Sequence, residues 1–313
     1  MIVASFVRSF EGLVSGSLSA TAPILLAALG GMYTYYAGIF NIAMEAMMLA
    51  GAFGGVLVGH GTQSWALGVV GAIAGAAILA ITFGVFVLLL ETDEFVTGIA
   101  LNLAAVGATT FLLRRIYKKA GAFSGSPERP IPAIPKVRIP GLANVPIVRS
   151  VAAGHTLIEW IVPVVIAGSA VLVFRTRFGL RLRAAGYNAT CLDASGVSTR
   201  AVRAKSLALC AVLCGLAGAF LSLGYLQLFG ENMSNGRGWI SLAAIVLVQG
   251  SPLGIALLSL LFGVAASVGL KAQSLNVAPQ FTEMLPYVAT LIALFVYARR
   301  RQKRAAHASP LPQ

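Results

Sequence analysis

The sequence predicts an all-α fold: a polytopic transmembrane bundle of about nine spans (eight to ten), with broken helices and an inverted internal repeat. Three observations carry the bundle. Hydrophobic residues make up 58% of the 313 positions and charged residues only 11%, against roughly a quarter charged in soluble domains. The apolar residues fall in runs of about 18 or more, enough for a helix to cross a hydrocarbon core ~30 Å thick. Lys and Arg, 23 against 10 acids, sit mainly in the connections. There they set orientation and meet anionic headgroups. The net charge of +13 thus reads as a membrane-surface signature, with no nucleic-acid partner implied.

In chain order, residues 1–12 form an interfacial lead-in carrying Arg8 and Glu11, without the pattern of a cleaved leader. Leu13 to Tyr36 is the first span, with Pro23 as a kink. The second runs from Gly38 to about Gly59, and the third, 66–90, is closed by Glu91, Asp93 and Glu94. The fourth, 95–113, holds Asn102 well inside. Residues 114–155 include PERPIPAIPKVRIP, whose prolines forbid regular helix and favour extended chain. The fifth span, 156–174, has Glu159 near its end, placed to snorkel or to cap. Span six, 206–228, is followed by GENMSNGRG at 230–238. Next comes a run of only twelve residues, Trp239 to Gly250, stopped by Ser251-Pro252. At ~1.5 Å per residue it reaches ~18 Å and cannot cross. Spans 253–270 and 283–298 precede the basic tail ARRRQKR.

The longest polar interruption of the C-terminal half lies between spans five and six, over 175–205. It carries Arg175, Arg177, Arg181, Arg183, Arg200, Arg203 and Lys205. Leu180 to Ala194 reads as a short helix stopped by Ser195-Gly196, since glycine readily adopts the left-handed cap. Such a helix lies at the bilayer surface. It is held by lipid headgroups, docks on another protein, or forms an ordinary positive-inside loop. The triple Arg after the last span places this stretch and the C-terminus in the cytoplasm. Spans one to four also share a plan with spans six to nine, over about 13–113 and 206–298. The Gly-opened segments 38–55 and 236–254 correspond, and an odd number of intervening crossings would invert the copies. Interrupted segments at matched positions point to a permeation path, although small residues also serve plain helix packing.

Few residues offer chemistry. Glu45 is the only acid between Glu11 and Glu91 and lies inside an apolar span. An ionisable group there costs several kcal/mol unless it faces protein or water. Asn41, four residues earlier, is expected on the same helix face. Glu45 and Asn41 either line a route, latch a gate, or bond helices together. Asn102 has the same alternatives. Glu231, Asn232 and Arg237 either line an outer mouth, or Glu231 pairs with Arg237 to hold the loop. Met48 belongs with this path, beside Met44 and Met47, whose thioethers suit packing better than metal binding. Three scattered cysteines and three histidines form no metal-ligand spacing. No Walker loop, HExxH, GxSxG or Ser/His/acid grouping is present, so no catalytic residue, metal or cofactor is expected.

GIFNIAMEAMMLAGAF, ENMSNGRGWISLAAIVLVQGSPLG and above all RTRFGLRLRAAGYNATCLDASGVSTRAVR resemble the inner-membrane permeases of ATP-binding-cassette (ABC) importers. The type is that for branched-chain amino acids, simple sugars and nucleosides. The likeness runs from Ala22 to Tyr297. NI-x-x-E in span two and ENM-x-x-GRG before the short run are similar to the nucleoside or simple-sugar subgroup. Ala43 and Ala46 beside Glu45, and Val248-Gln249-Gly250-Ser251, depart from the usual pattern. The resemblance implies one permease domain, 1–313, in the cell inner membrane, transporting a small polar solute. It implies that Gly179 to Gly196 holds a coupling helix seated in an ATPase subunit, with Gly179, Leu180, Arg181, Arg183, Ala184, Gly186, Asn188 and Gly196 at that contact. It further implies a second permease chain and an extracytoplasmic solute-binding protein, with ATP hydrolysed elsewhere.

Overall fold

The computed structural model describes residues 2–138 and 153–273, with Met284, Val288 and Phe295 as isolated positions. The predicted ninth span, the basic tail and part of the Pro-rich segment lie outside these residues. The described chain is a helical bundle. Its helices are α1 (Ile2–Tyr36), α2 (Met44–Thr62), α3 (Trp65–Gly84), α4 (Glu94–Tyr117) and α5 (Leu157–Arg175). They continue as α6 (Arg177–Tyr187), α7 (Ala189–Ala194), α8 (Thr199–Ala219), α9 (Arg237–Leu247) and α10 (Pro252–Gln273). Among the described residues, six stretches are long and apolar enough to cross a membrane: Gly12–Tyr36, Trp65–Leu89, Glu94–Tyr117, Leu157–Arg175, Thr199–Tyr225 and Pro252–Gln273. Helix α2 has 19 residues, about 28 Å of helix, but carries Glu45 and His60. Helix α9 has 11 residues, about 16 Å, and stops short of a full crossing.

Two predicted elements differ in detail. The surface helix expected over 180–194 is two helices, broken at Asn188. The Asn188 carboxamide accepts from the Cys191 N–H at 3.0 Å and starts α7 as its N-cap, an Asn side chain competing with the backbone ladder. The predicted stop holds, with Gly196 at φ +81°. The third and sixth spans also end in π-helical turns, Val85–Leu89 and Phe220–Tyr225.

The centre is α2, α3 and α8, where glycines let backbones touch. A Cβ on Gly54 would lie 2.5 Å from the Gly71 carbonyl oxygen, and one on Gly75 2.5 Å from that of Ala50. On α8 a Cβ at Gly218 would lie 2.4 Å from the Met48 carbonyl oxygen. Close approach of this kind replaces the hydrophobic drive that lipid removes.

One end of the bundle gathers the α1–α2 and α3–α4 connections, α6, α7 and the start of α8. There the Arg203 Nε donates to the Ala37 carbonyl at 3.2 Å, and the Phe40 N–H donates to Glu94. The other end carries the described part of the Pro-rich segment, which past α4 is mostly irregular, as expected, but anchored. Ile131 and Ile134 are buried, and the Ile134 N–H donates to the Leu223 carbonyl at 3.1 Å. Two short antiparallel ladders hold it: β1 (Ala122–Phe123) with β4 (Phe229–Gly230), and β2 (Lys136–Arg138) with β3 (Ala153–Thr156). Phe123 stacks on Tyr117 with ring centroids 3.8 Å apart.

Overpacking this centre should be costly. Gly218→Leu is expected to destabilise by about 1–3 kcal/mol or more, read as a lower thermal midpoint in detergent. Gly107→Leu, where a Cβ meets nothing within 4 Å, should leave the midpoint unchanged.

Candidate functional site

Asn41 does not share a helical face with Glu45, because α2 begins only at Met44. Asn41 sits in the preceding turn. Its Oδ1 accepts from the Ala43 N–H at 3.0 Å, and its Nδ2 lies 3.4 Å from the Cys210 sulfur. A short polar side chain that bonds backbone two residues on favours a turn over a helix. From α4, Asn102 reaches the same place. Its Oδ1 accepts from the Ala46 N–H at 2.9 Å and its Nδ2 donates to the Ile42 carbonyl at 3.1 Å. Asn102 thus satisfies an orphan donor in the first turn of α2, a service that the methyl group of α2's own N-cap, Ala43, cannot supply.

Glu45, in that first turn, is buried and turns its carboxylate to a second helix start. Oε1 accepts from the Gly236 N–H at 2.9 Å and Oε2 from the Gly238 N–H at 2.6 Å. These amides open α9. Gly236 lies at φ +77°, a conformation that penalises other residues. A Cβ on Gly238 would lie 2.6 Å from the Glu45 Cα. Both glycines of GRG are therefore required, one by backbone conformation and one by close approach. Two helix N-termini converge on this carboxylate, each equivalent to roughly half a positive charge. Charge-assisted bonds of about 1.5–3 kcal/mol each offset the several kcal/mol of burying the ion.

Arg237, between those glycines, donates to the Met233 and Ser234 carbonyls, both at 3.1 Å. It also lines a cavity of about 250 Å³ between α1, α10 and the Phe220–Tyr225 turn, with Ser19, Tyr225, Asn235 and Gln273 as further polar walls. The Ser241 hydroxyl donates to the Ile24 carbonyl at 2.9 Å and pins α9 to α1.

The remaining path residues lie elsewhere. Glu231 does not pair with Arg237. It accepts from Arg114 Nη2 at 3.2 Å and from the Gly121 N–H at 3.1 Å. The Gly121 N–H, and after it the Arg114 guanidinium, hold its carboxyl below the usual carboxylate range. Asn232 is exposed, at φ +54° in a turn. Met48 is wholly buried against α8.

Of the two expected roles, Glu159 caps: it starts α5 through a capping box with Thr156. Its other contacts were not expected: it accepts from the Ser19 hydroxyl of α1 and lies 3.1 Å from His155 Nδ1. Thr156-x-x-Glu159 was the signal that could have found the box. Ser19, a whole bundle away in sequence, carried none.

At the opposite end, α6 packs Gly179, Leu182 and Ala185 inward. A Cβ on Gly179 would lie 2.2 Å from the Leu172 and Val173 carbonyl oxygens, and one on Gly186 2.3 Å from that of Tyr36. These glycines set α6 hard against α5 and α1. Leu180 is 62% exposed and Tyr187 94%, and Arg181 is exposed beside them. Arg183 is different: its guanidinium lies 5.4 Å from the Phe174 ring centre, a cation–π contact. Ala184 is half-buried.

A bundle of helices apolar enough to cross a membrane, with a short apolar helix, a buried carboxylate and an amphipathic surface helix, defines a polytopic membrane protein. The model of the family described as "branched-chain amino acid transport system / permease component" matches residues 13–294, and the chain belongs to that family. It is a multi-pass inner-membrane permease subunit of an ABC import system. It is similar to a nucleoside ABC transporter permease of Lactococcus lactis subsp. cremoris, 30% identical over 93% of each chain. It is also similar to a guanosine ABC transporter permease of Bacillus subtilis, 28% identical over 95% of each. A putative glucose ABC transporter permease of Haloferax volcanii is 28% identical over 96% of this chain and 95% of its own. No solved structure matches the chain.

Glu45→Ala strands two N–H donors and should cost about 3 kcal/mol or more, with Glu45→Gln less severe because one acceptor remains. Thermal unfolding in detergent ranks the two. In the turn that precedes α9, the lowered Glu231 carboxyl stabilises above the ordinary carboxylate range, and that stability is lost as pH falls through its native value. Hydrogen-exchange protection of the Gly121–Glu231 backbone pair should drop over that interval, and Glu231→Gln should abolish the step.

Proposed function

We propose that this chain carries a nucleoside or a simple sugar, energised by a separate ATPase subunit. The observation that supports this reading best is the allocation of Glu45. Its carboxylate is buried, accepts from the Gly236 and Gly238 amides, and is not among the residues lining the cavity, so it is not presented there to a substrate ammonium. The 250 Å³ cavity lined by Arg237 has hydroxyl, amide and guanidinium walls and no acid among its described lining residues. Neutral, hydroxyl-rich solutes suit such a lining; a zwitterionic amino acid would leave its ammonium without a counter-charge. The names of the nucleoside, guanosine and glucose relatives point the same way.

In this reading a solute-binding protein delivers its cargo at the end bearing the Pro-rich segment, Glu231, Asn232 and Arg237. The chain works with a second permease, identical or related. Asn41, Glu45, Met48 and Asn102 form the frame of a gate, with Glu45 as the latch of α9. Closure of the ATPase pair pushes the cytoplasmic α6–α7 element and rocks the permeases between outward and inward access. The single domain would have about nine segments, counting α9 and one beyond the described residues. The meeting of α2 and α9 by their N-termini is the geometry expected of inverted repeat halves.

Uptake by proteoliposomes holding the chain with its ATPase and binding protein tests the solute. ATP-dependent guanosine or glucose uptake is expected. Leucine uptake alone, or gradient-driven uptake by the isolated chain, would sink the reading. Arg181→Glu combined with Tyr187→Ala should cut co-purification of the ATPase at least tenfold while insertion persists. Arg183 is left intact because its stacking on Phe174 is internal.

A further inference from the structure

Helices α3 and α8 are in backbone contact at one level and apart at another. A Cβ on Gly215 would lie 2.7 Å from the Ile73 Cα. Toward the end where α8 begins, the pair opens into a groove of about 650 Å³. Small residues make the opening: Ala77, Ala80 and Gly84 on one wall, Ala201, Ala204 and Ala208 on the other. Its outer lip is apolar and uncovered, with Ile81 at 66% exposed and Leu89 at 56%. The α8 wall runs from Arg200 to Val212, about 18 Å of helix. One hydrocarbon leaflet is about 15 Å deep.

The mouth carries two opposite charges. Arg200 lines the groove, and its guanidinium is 3.9 Å from the Glu91 carboxylate, with the two side chains 60% and 81% exposed. That separation is too long for a hydrogen bond, and such exposed pairs contribute little. Both groups thus retain bonding capacity for a third party. The neighbouring acids are committed: Asp93 caps α4 and Glu94 holds the Phe40 N–H.

We propose that this groove is a binding site for a zwitterionic aminophospholipid of the phosphatidylethanolamine kind. One acyl chain lies in the wedge between α3 and α8. The phosphate accepts from Arg200 and the primary ammonium donates to Glu91. An anionic lipid without the ammonium would meet Glu91 as a like charge. A choline headgroup has no N–H to donate. The site is independent of the transported solute.

Native mass spectrometry of the full chain, exchanged into detergent with equimolar phosphatidylethanolamine, phosphatidylglycerol and phosphatidylcholine, tests it. Phosphatidylethanolamine should be retained at least fivefold over either competitor. Glu91→Lys should shift retention to phosphatidylglycerol, and Ala208→Phe, which fills the groove from an exposed position, should abolish it. Equal retention of all three lipids would mean an ordinary apolar surface and overturn the proposal. So would a wild-type preference for phosphatidylglycerol, or Ala208→Phe breaking a dimer while lipid retention stays unchanged.

Discussion

A buried carboxylate needs partners, and Glu45 finds them in the backbone of another element. Its two oxygens take the Gly236 and Gly238 amides, and this contact decides where α9 starts. A half-helix cannot reach across a bilayer, so its free amides would otherwise lie in hydrocarbon without acceptors. The interaction joins α2 to α9, and Ser241 then ties α9 to α1. Asn102 serves the start of α2 in the same way. The polar centre of the molecule is a set of helix starts, each satisfied by a side chain from elsewhere.

Around that centre the packing is steric. Lipid is as apolar as leucine, so helices gain little by hiding apolar side chains from it. The α2–α3–α8 contact instead uses glycine to bring backbones within van der Waals reach. The same device sets α6 against the ends of α1 and α5 through Gly186 and Gly179. An amphipathic surface helix thus rests on carbonyl groups rather than on flexible side chains. Its exposed face carries Leu180, Arg181 and Tyr187.

Much of this was legible beforehand. Apolar run length located six of the predicted spans, because crossing length is a property of local sequence. The short run after GENMSNGRG stayed short for the same reason. The predicted second span is helix α2, which is not among the six helices apolar enough to cross. Gly196 ended the surface element as expected, since a left-handed cap is a local demand. The sequence missed the break at Asn188, where a side chain competing for backbone split one predicted helix into two. It also set Asn41 one turn too far into α2, as helical spacing says nothing of where the helix begins.

Span positions, the unusual depth of Glu45 and the basic surface element were thus determined by the chain alone, because each depends on neighbours in sequence. Partnership was decided only in three dimensions. Glu231 lies six residues from Arg237 yet pairs with Arg114, and Glu159 recruits Ser19 from α1. No periodicity encodes such pairs. They exist because buried or half-buried polar groups must be satisfied by whatever the packing of distant helices brings within about 3 Å.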